Sequence, residues 1–331
     1  MPEHFKALML TQDDSGKTVA DIRQLTDGDL PEGDVLVAVD YSSLNYKDGL
    51  AITGKGKIVR TWPMVPGIDL AGSVIESESP AYAAGDKVVL TGWSVGEKYW
   101  GGYSQHQRVR SEWLVPLPDG LDSQRAMVIG TAGFTAMLCV MTIEEAGVKP
   151  GEGTILVTGA SGGVGSVAVA ILGKLGYRVA AVSGRPETED YLRQLGAAEF
   201  VLREEMSQPP RPLEKQRWSG AIDTVGSTML ARVLAETCYG GCVAACGLAG
   251  GADLPTTVMP FILRNVSLRG VDSVMCPVDR RNEAWGRLVH DLPSDALGDI
   301  GQIVGLEDLP DMAGRIIAGQ VRGRVIVDVN R

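Results

Sequence analysis

Histidine is scarce: the 331 residues hold three, His4, His106 and His290, and they are scattered. The five cysteines, Cys139, Cys238, Cys242, Cys246 and Cys276, include no CxxC pair. A metal site built from histidine and cysteine therefore has no clustered ligand set to start from. An odd number of unpaired cysteines reads as buried reduced thiols in a cytoplasmic chain, not as a disulfide framework. No run of about 18 uninterrupted apolar residues occurs, so no membrane-spanning helix is expected. The first residues, MPEHFKALML, lack the basic segment and apolar core of a signal peptide. No long Lys/Arg run exists, and 41 acidic against 31 basic residues leave a net charge of −10. That balance speaks against general nucleic-acid binding, while a local basic pocket for a small anion stays open.

What is present suits an ordinary globular chain, with 44% hydrophobic and 22% charged residues. At about 100–200 residues per domain, two domains are expected. The first part reads as β-rich. Short apolar strands at Val35–Val39, Gly72–Ile75 and Lys87–Leu90 are punctuated by Gly, Pro and Asp, which favours an antiparallel barrel or twisted sheet. Residues 123–146 read as a helix. Beyond it, apolar strands at 154–158, 178–182, 198–202, 221–223 and 242–246 alternate with helical stretches such as 164–175 and 187–195. Such alternation predicts βαβ units and a parallel sheet. Another helix is expected over Arg281–His290, and Arg324–Val329 reads as an edge strand returning to the first domain.

The most informative segment is Thr158-Gly-Ala-Ser-Gly-Gly-Val-Gly165, between an apolar strand and an amphipathic helix. Against the G-x-G-x-x-G pattern, Ala160 replaces the first glycine, Gly162 admits a pyrophosphate and Gly165 permits close helix–strand packing. Ser161, Gly162, Gly163 and Val164 then surround a helix N-terminus whose free N–H groups suit phosphates. The next strand runs into Ser183-Gly184-Arg185. An NAD site usually carries a carboxylate there; here none repels a phosphate, and Arg185 can pair with one bidentately. NADPH is therefore expected over NADH, with Arg203 after the third strand as a second contact or a solvated residue.

The chain resembles the medium-chain dehydrogenase/reductase superfamily. The resemblance implies a GroES-like β-rich catalytic domain over residues 1–124 and 271–331, and a Rossmann-type doubly wound domain over 125–270. The zinc-binding members carry Gly-His-Glu where this chain reads Gly67-Ile68-Asp69, so isoleucine stands in place of a histidine ligand, and no metal is expected. The segments Ser43-Leu-Asn-Tyr-Lys-Asp48, Thr53-Gly-Lys-Gly-Lys57, Leu90-Thr-Gly-Trp93, Gly130-Thr-Ala-Gly-Phe-Thr-Ala136 and Gly240-Gly-Cys-Val-Ala-Ala-Cys-Gly247 are similar to those of NADPH-dependent acrylyl-CoA reductases.

That similarity implies hydride addition to the β-carbon of acryloyl-CoA and protonation at the α-carbon, giving propionyl-CoA. It implies Asn45, Tyr46 and Asp48 as the catalytic cluster. Tyr46 can touch the cofactor, donate a proton or simply pack; Asp48 can position its neighbours or shape a turn. Thr131, Leu248 and Arg324 are implied as further cofactor contacts. Related enoyl reductases often carry a tyrosine after the glycine at position 54; here Lys55-Gly56-Lys57 follow. Lys55, Lys57 and Arg60 form a small basic cluster, either a solvated face or a contact for the CoA phosphates. A homodimer is implied, with the stretch Leu254 to Leu263 as the candidate interface. Two alternatives stand: a zinc-free NADPH:quinone oxidoreductase on the same fold with the same metal-free site, against which the motif set argues, and a non-catalytic NADPH-binding sensor, which keeps the glycine loop and Arg185 but needs no Asn45–Asp48 cluster.

Overall fold

The computed structural model describes residues 4–293 and 301–331. The chain divides into two compact units. One comprises Met1–Thr131, Val274–Pro277 and Ile300–Arg331; the other comprises Ala132–Ser273 and Val278–Asp299.

The first unit opens with an antiparallel hairpin, β1 (Phe5–Gln12) and β2 (Thr18–Leu25). Its main sheet holds β3 (Val35–Leu44), β4 (Asp69–Ser77), β5 (Lys87–Thr91), β6 (His106–Val109) and β7 (Val115–Pro116), with β14 (Gly301–Val304) and β15 (Arg324–Asp328). The order is β14-β15-β3-β4-β5-β7, with β6 also on β3. All pairings are antiparallel except β14 with β15. The expectation of an edge strand at the C-terminus is thus corrected: β15 lies between β14 and β3. It is buried at four of five positions, as an interior strand should be. Buried apolar residues including Leu8, Leu10, Val37, Leu70, Leu90, Leu309 and Val327 form one core beneath these strands.

Two helices owe their course to a glycine. Helix α1 (Tyr46–Thr53) follows β3 directly. It lies close to a second helix, Leu309–Ile317, because Gly49 has no side chain: a Cβ there would stand 2.6 Å from Ile316 Cγ2. Helix α2 (Ser123–Glu145) is broken at Gly130, whose φ of 49° and ψ of −160° leave the helical region. Among the described residues, α2 is the one helix long and apolar enough to cross a membrane, and 94% of its apolar window is buried inside the protein.

The second unit is a six-stranded parallel sheet. Its strands are β8 (Thr154–Val157), β9 (Arg178–Ser183), β10 (Glu199–Leu202), β11 (Trp218–Asp223), β12 (Thr237–Ala245) and β13 (Ser267–Gly270). The order β10-β9-β8-β11-β12-β13 is the doubly wound arrangement. Helix α3 (Gly163–Lys174) follows β8, and eight of its twelve residues are buried. A later helix, Val278–Asp291, belongs to this unit, whereas its residues were expected with the first domain. The reason is local packing. Trp285 stacks on Phe134 at 6.3 Å, Arg281 lies over the same ring at 4.8 Å, and Arg287 pairs with Glu144. Likewise residues 125–131 group with the first unit, since the helix breaks at Gly130.

Candidate active site

In the first unit, β3 runs into α1 through Ser42-Ser43-Leu44-Asn45. Asn45 is the N-cap, but its side chain does not cap the helix. Asp48 instead reaches back to the Asn45 backbone N–H at 2.9 Å, half of a capping box. The Asn45 amide is thereby free to face inward. Its Nδ2 donates to Asp69 at 2.9 Å, and its Oδ1 accepts from Arg324 at 3.0 Å.

Asp69, at the start of β4, is the hub of this network and is fully buried. Its carboxylate accepts from the Ser43 hydroxyl, the Asn45 amide, the Thr131 N–H at 2.9 Å and the Thr131 hydroxyl. The break at Gly130 redirects the Thr131 N–H from the helix ladder to this carboxylate. Gly130 is itself hemmed in: a Cβ would stand 2.6 Å from both Arg324 Nη2 and Asp69 Oδ2.

Arg324 balances the buried negative charge. Nε donates to the Val128 carbonyl at 3.0 Å, Nη1 to Asn45, and Nη2 to the Ser43 hydroxyl at 2.7 Å, with Asp69 Oδ2 at 3.8 Å. Burial lowers its pKa, while Asp69 and Asp48 hold it up. Tyr103, also fully buried, donates to the Ser43 carbonyl at 3.1 Å. Burial, with Asp48 and Asp69 nearby, pushes its phenol well above the usual range.

Asp48 accepts from the Ile68 N–H at 3.0 Å besides that of Asn45. Burial first, and the charge of Asp69 second, raise its pKa to about 7 against these hydrogen bonds. One buried arginine thus faces Asp69 and an Asp48 carboxyl that is half-protonated near neutrality.

The three residues expected to form the catalytic cluster separate in the fold. Asn45 and Asp48 are 8% and 1% exposed and face inward, whereas Tyr46, at the first turn of α1, is 44% exposed. Arg324, expected at the cofactor, is 2% exposed, and its guanidinium donates to Ser43, Asn45 and the Val128 carbonyl in the buried network. Sequence reasoning missed Ser43, Asp69 and Tyr103. The signal available was weak: Ser43 and Asp69 sit inside segments that stand out for other residues. Ile68 is 5% exposed and apolar. Among the described residues, no group of three His, Cys, Asp or Glu is arranged to hold a metal ion.

In the second unit, the chain leaves β8 through Thr158 and Gly159 and turns into α3. Gly162 N donates to the Gly159 carbonyl at 2.9 Å, closing the turn, and Gly162 is the N-cap. Gly165 has to be glycine, since a Cβ would lie 2.4 Å from the Gly159 carbonyl oxygen. The first-turn N–H groups of α3, from Gly163 and Val164 onward, have no carbonyl of their own helix to bond.

The tip of β9 closes over this loop. Arg185 Nη2 donates to Ser161 Oγ at 2.8 Å, and the Ser161 and Ser183 hydroxyls lie 3.1 Å apart. The register of β9 with β10 pairs Ser183 with Leu202, placing Arg203 beside Gly184. A Cβ on Gly184 would meet Arg203 Cζ at 2.5 Å, so the guanidinium lies against the bare glycine. Residues 183–186, Ser-Gly-Arg-Pro, carry no carboxylate. Ser161, Ser183, Arg185 and Arg203 thus come together, as donors suited to a phosphate dianion. Leu248, in the loop after β12, is 67% exposed; its neighbour Gly247 touches the Thr224 carbonyl, where a Cβ would stand at 2.2 Å.

A sheet-and-helix unit with a phosphate-accepting glycine turn, together with a β-rich unit holding a buried polar network, defines a two-domain dinucleotide-dependent oxidoreductase. The family models agree with this division. Residues 31–119 match the alcohol dehydrogenase GroES-like domain, and residues 163–289 match the zinc-binding dehydrogenase family. The chain is 61% identical to the probable acrylyl-CoA reductase AcuI of Escherichia coli (strain K12), covering 98% of this chain and 100% of that one. It is 58% identical to the acrylyl-CoA reductase AcuI of Ruegeria pomeroyi, over 98% and 99%. The solved YhdH oxidoreductase of Salmonella enterica, in complex with NADP, superposes with a TM-score of 0.97 at 61% identity, covering 98% and 100%. The chain belongs to the zinc-independent, AcuI/YhdH-type quinone and enoyl reductases of the medium-chain dehydrogenase/reductase superfamily.

Proposed function

We propose that the protein reduces the C=C bond of acryloyl-CoA to propionyl-CoA at the expense of NADPH. The observation that carries this reading is full-length identity of 58–61% to two acrylyl-CoA reductases. The β9 tip supports the cofactor: the Arg203 guanidinium lies against Gly184, that of Arg185 reaches Ser161, and no carboxylate in residues 183–186 competes with a 2′-phosphate. Ser161, Ser183, Arg185 and Arg203 would hold that phosphate, while Gly162, Gly163 and Val164 would take the pyrophosphate at the α3 N-terminus. Leu248, in the loop after β12, would face the nicotinamide end. When bound, NADPH supplies the hydride for the electrophilic β-carbon.

The chain's own groups then have separate tasks. Tyr46, the exposed member of its cluster, presents a hydroxyl able to deliver a proton to the α-carbon. Asn45 and Asp48 lie behind it and fix the first turn of α1, so they act as positioning residues. Asp69 and Arg324 lock that turn to Thr131 through Ser43 and Asn45. A pre-set frame of this kind limits reorganisation during reaction.

We also infer a homodimer. Among the described residues, strand β13 ends the parallel sheet with its outer edge unpaired, and Val258, Ile262 and Leu263 nearby in sequence are 62%, 73% and 57% exposed. A cytoplasmic setting is proposed from five free cysteines. Turnover is tested by NADPH oxidation with acryloyl-CoA, crotonyl-CoA and a simple quinone side by side, without added metal. Acryloyl-CoA should be the fastest; activity with the quinone alone would transfer the assignment to a quinone oxidoreductase. Sedimentation at micromolar concentration should give twice the 35.1 kDa chain mass.

A further inference from the structure

The stretch between Asp48 and Asp69 contains no acidic residue and carries Lys55, Lys57 and Arg60, all exposed. It is fastened alongside residues 97–100. The Arg60 N–H donates to the Glu97 carbonyl at 2.8 Å. The Thr61 hydroxyl donates to the Lys98 carbonyl at 2.9 Å, and Trp100 Nε1 to the Pro63 carbonyl at 3.0 Å. This register sets Trp62 level with Tyr99, and the two residues are 36% and 38% exposed. The ledge is supported from the side: Tyr99 packs on Trp113 at 4.8 Å, and Arg110 lies within 5.4 Å of both ring centroids.

Its charges are unusual for so acidic a chain. Among the described residues, Lys55, Lys57, Arg60 and Lys98 have no carboxylate within ion-pair distance. Glu97, the one acid in the neighbouring loop, is neutralised by Lys47 at 2.8 Å. Lys47 follows Tyr46 in the first turn of α1, so one ion pair ties this surface to the turn that carries Tyr46.

Flat aromatic faces among unpaired cations suit a purine with phosphates. The adenosine of NADPH already has its own donors around Gly184. Resting on the function proposed above, we propose that this ledge holds the adenosine 3′,5′-bisphosphate end of the acyl-CoA substrate. Trp62 and Tyr99 take the adenine, and Arg60, Lys98, Lys55 and Lys57 take the phosphates. The remote end of the substrate thus lends binding energy to the thioester at Tyr46.

The test compares acryloyl-CoA with acryloyl-pantetheine, which lacks the nucleotide, in the wild type, Trp62→Ala and the double variant Arg60→Glu/Lys98→Glu. The double variant should raise the KM for acryloyl-CoA by roughly 10–100-fold, as expected for lost charge-assisted contacts. Its KM for acryloyl-pantetheine and for NADPH should not move, which also shows that it is folded. Adenosine 3′,5′-bisphosphate should compete with acryloyl-CoA in the wild type and lose that effect in the variants. Equal KM shifts for both thioesters, no shift for either, or competition against NADPH alone would overturn the assignment. If the wild type turned over neither thioester, the proposed function would fail instead. Bisphosphate binding, read as tryptophan fluorescence quenching that Trp62→Ala removes, would then decide the ledge separately: its absence overturns it.

Discussion

The Asp69 carboxylate accepts both hydrogen bonds that Thr131 can donate, from its N–H and from its hydroxyl, across 62 residues of sequence. Thr131 follows the glycine at which α2 breaks, so this double contact fixes how the chain leaves the first unit. Asp69→Ala should therefore cost more than a hydrogen bond. It leaves Arg324 buried at 2% exposure without its ion-pair partner. A loss of about 3–5 kcal/mol is expected from the denaturant midpoint, the range for breaking a buried ion pair. A loss below ~1 kcal/mol would mean that the charge is balanced elsewhere.

Cofactor choice should depend on the β9 tip. Arg185→Ala and Arg203→Ala should each raise the KM for NADPH by roughly 10–100-fold, the range for one charged hydrogen bond. The KM for NADH should stay within about twofold, since its ribose has no 2′-phosphate to lose. Steady-state kinetics with both nucleotides checks this. Parallel losses for the two would instead point to collapse of the Arg185–Ser161 contact that closes the glycine turn.

Asp48 makes stability depend on pH. Its folded pKa of about 7 lies above the ordinary 3.8, so the folded state holds its proton more tightly than the unfolded chain does. Below about pH 4 both states are protonated and nothing is lost. As pH rises from there to about 7, this residue progressively destabilises the fold, by at most ~4 kcal/mol, and above 7 the loss is complete. Asp48→Asn should flatten this fall in urea titrations between pH 4 and 7. An unchanged pH profile would show that Asp48 titrates normally.

Tyr46→Phe should separate proton delivery from binding. The expected outcome is a kcat reduced about 10²–10⁴-fold, the usual contribution of a general acid, with NADPH affinity unchanged. Unchanged kcat would assign protonation to another donor.

The alternation of strands and helices, the glycine turn and the Ser183–Arg185 tip were legible because each is written in consecutive residues. The buried network was not. Ser43 and Arg324 are 281 positions apart, and Asp69 looks like any turn-side aspartate until the sheet places it under Thr131. The hairpin β1–β2 went unread because β2 has no fully buried residue and lacks an apolar run. Strand β14 was missed for the same reason: none of its four residues is fully buried. Missing it made β15 look like an edge. The bonds that hold Arg324 could not be read either, because sequence shows a charge but not what surrounds it.

The position of β15 bears on how the chain matures. It pairs with β3 and supplies Arg324 to partners encoded near the other end. On the ribosome, Ser43, Asn45 and Asp69 emerge early and wait for a strand that begins 281 positions after Ser43. Meanwhile the parallel sheet, contiguous from Ala132 to Ser273, can close on its own. The unit synthesised first is thus completed last, and a ribosome that stalls short of residue 324 leaves a nascent chain with a finished nucleotide fold and an unpaired carboxylate at the heart of the other.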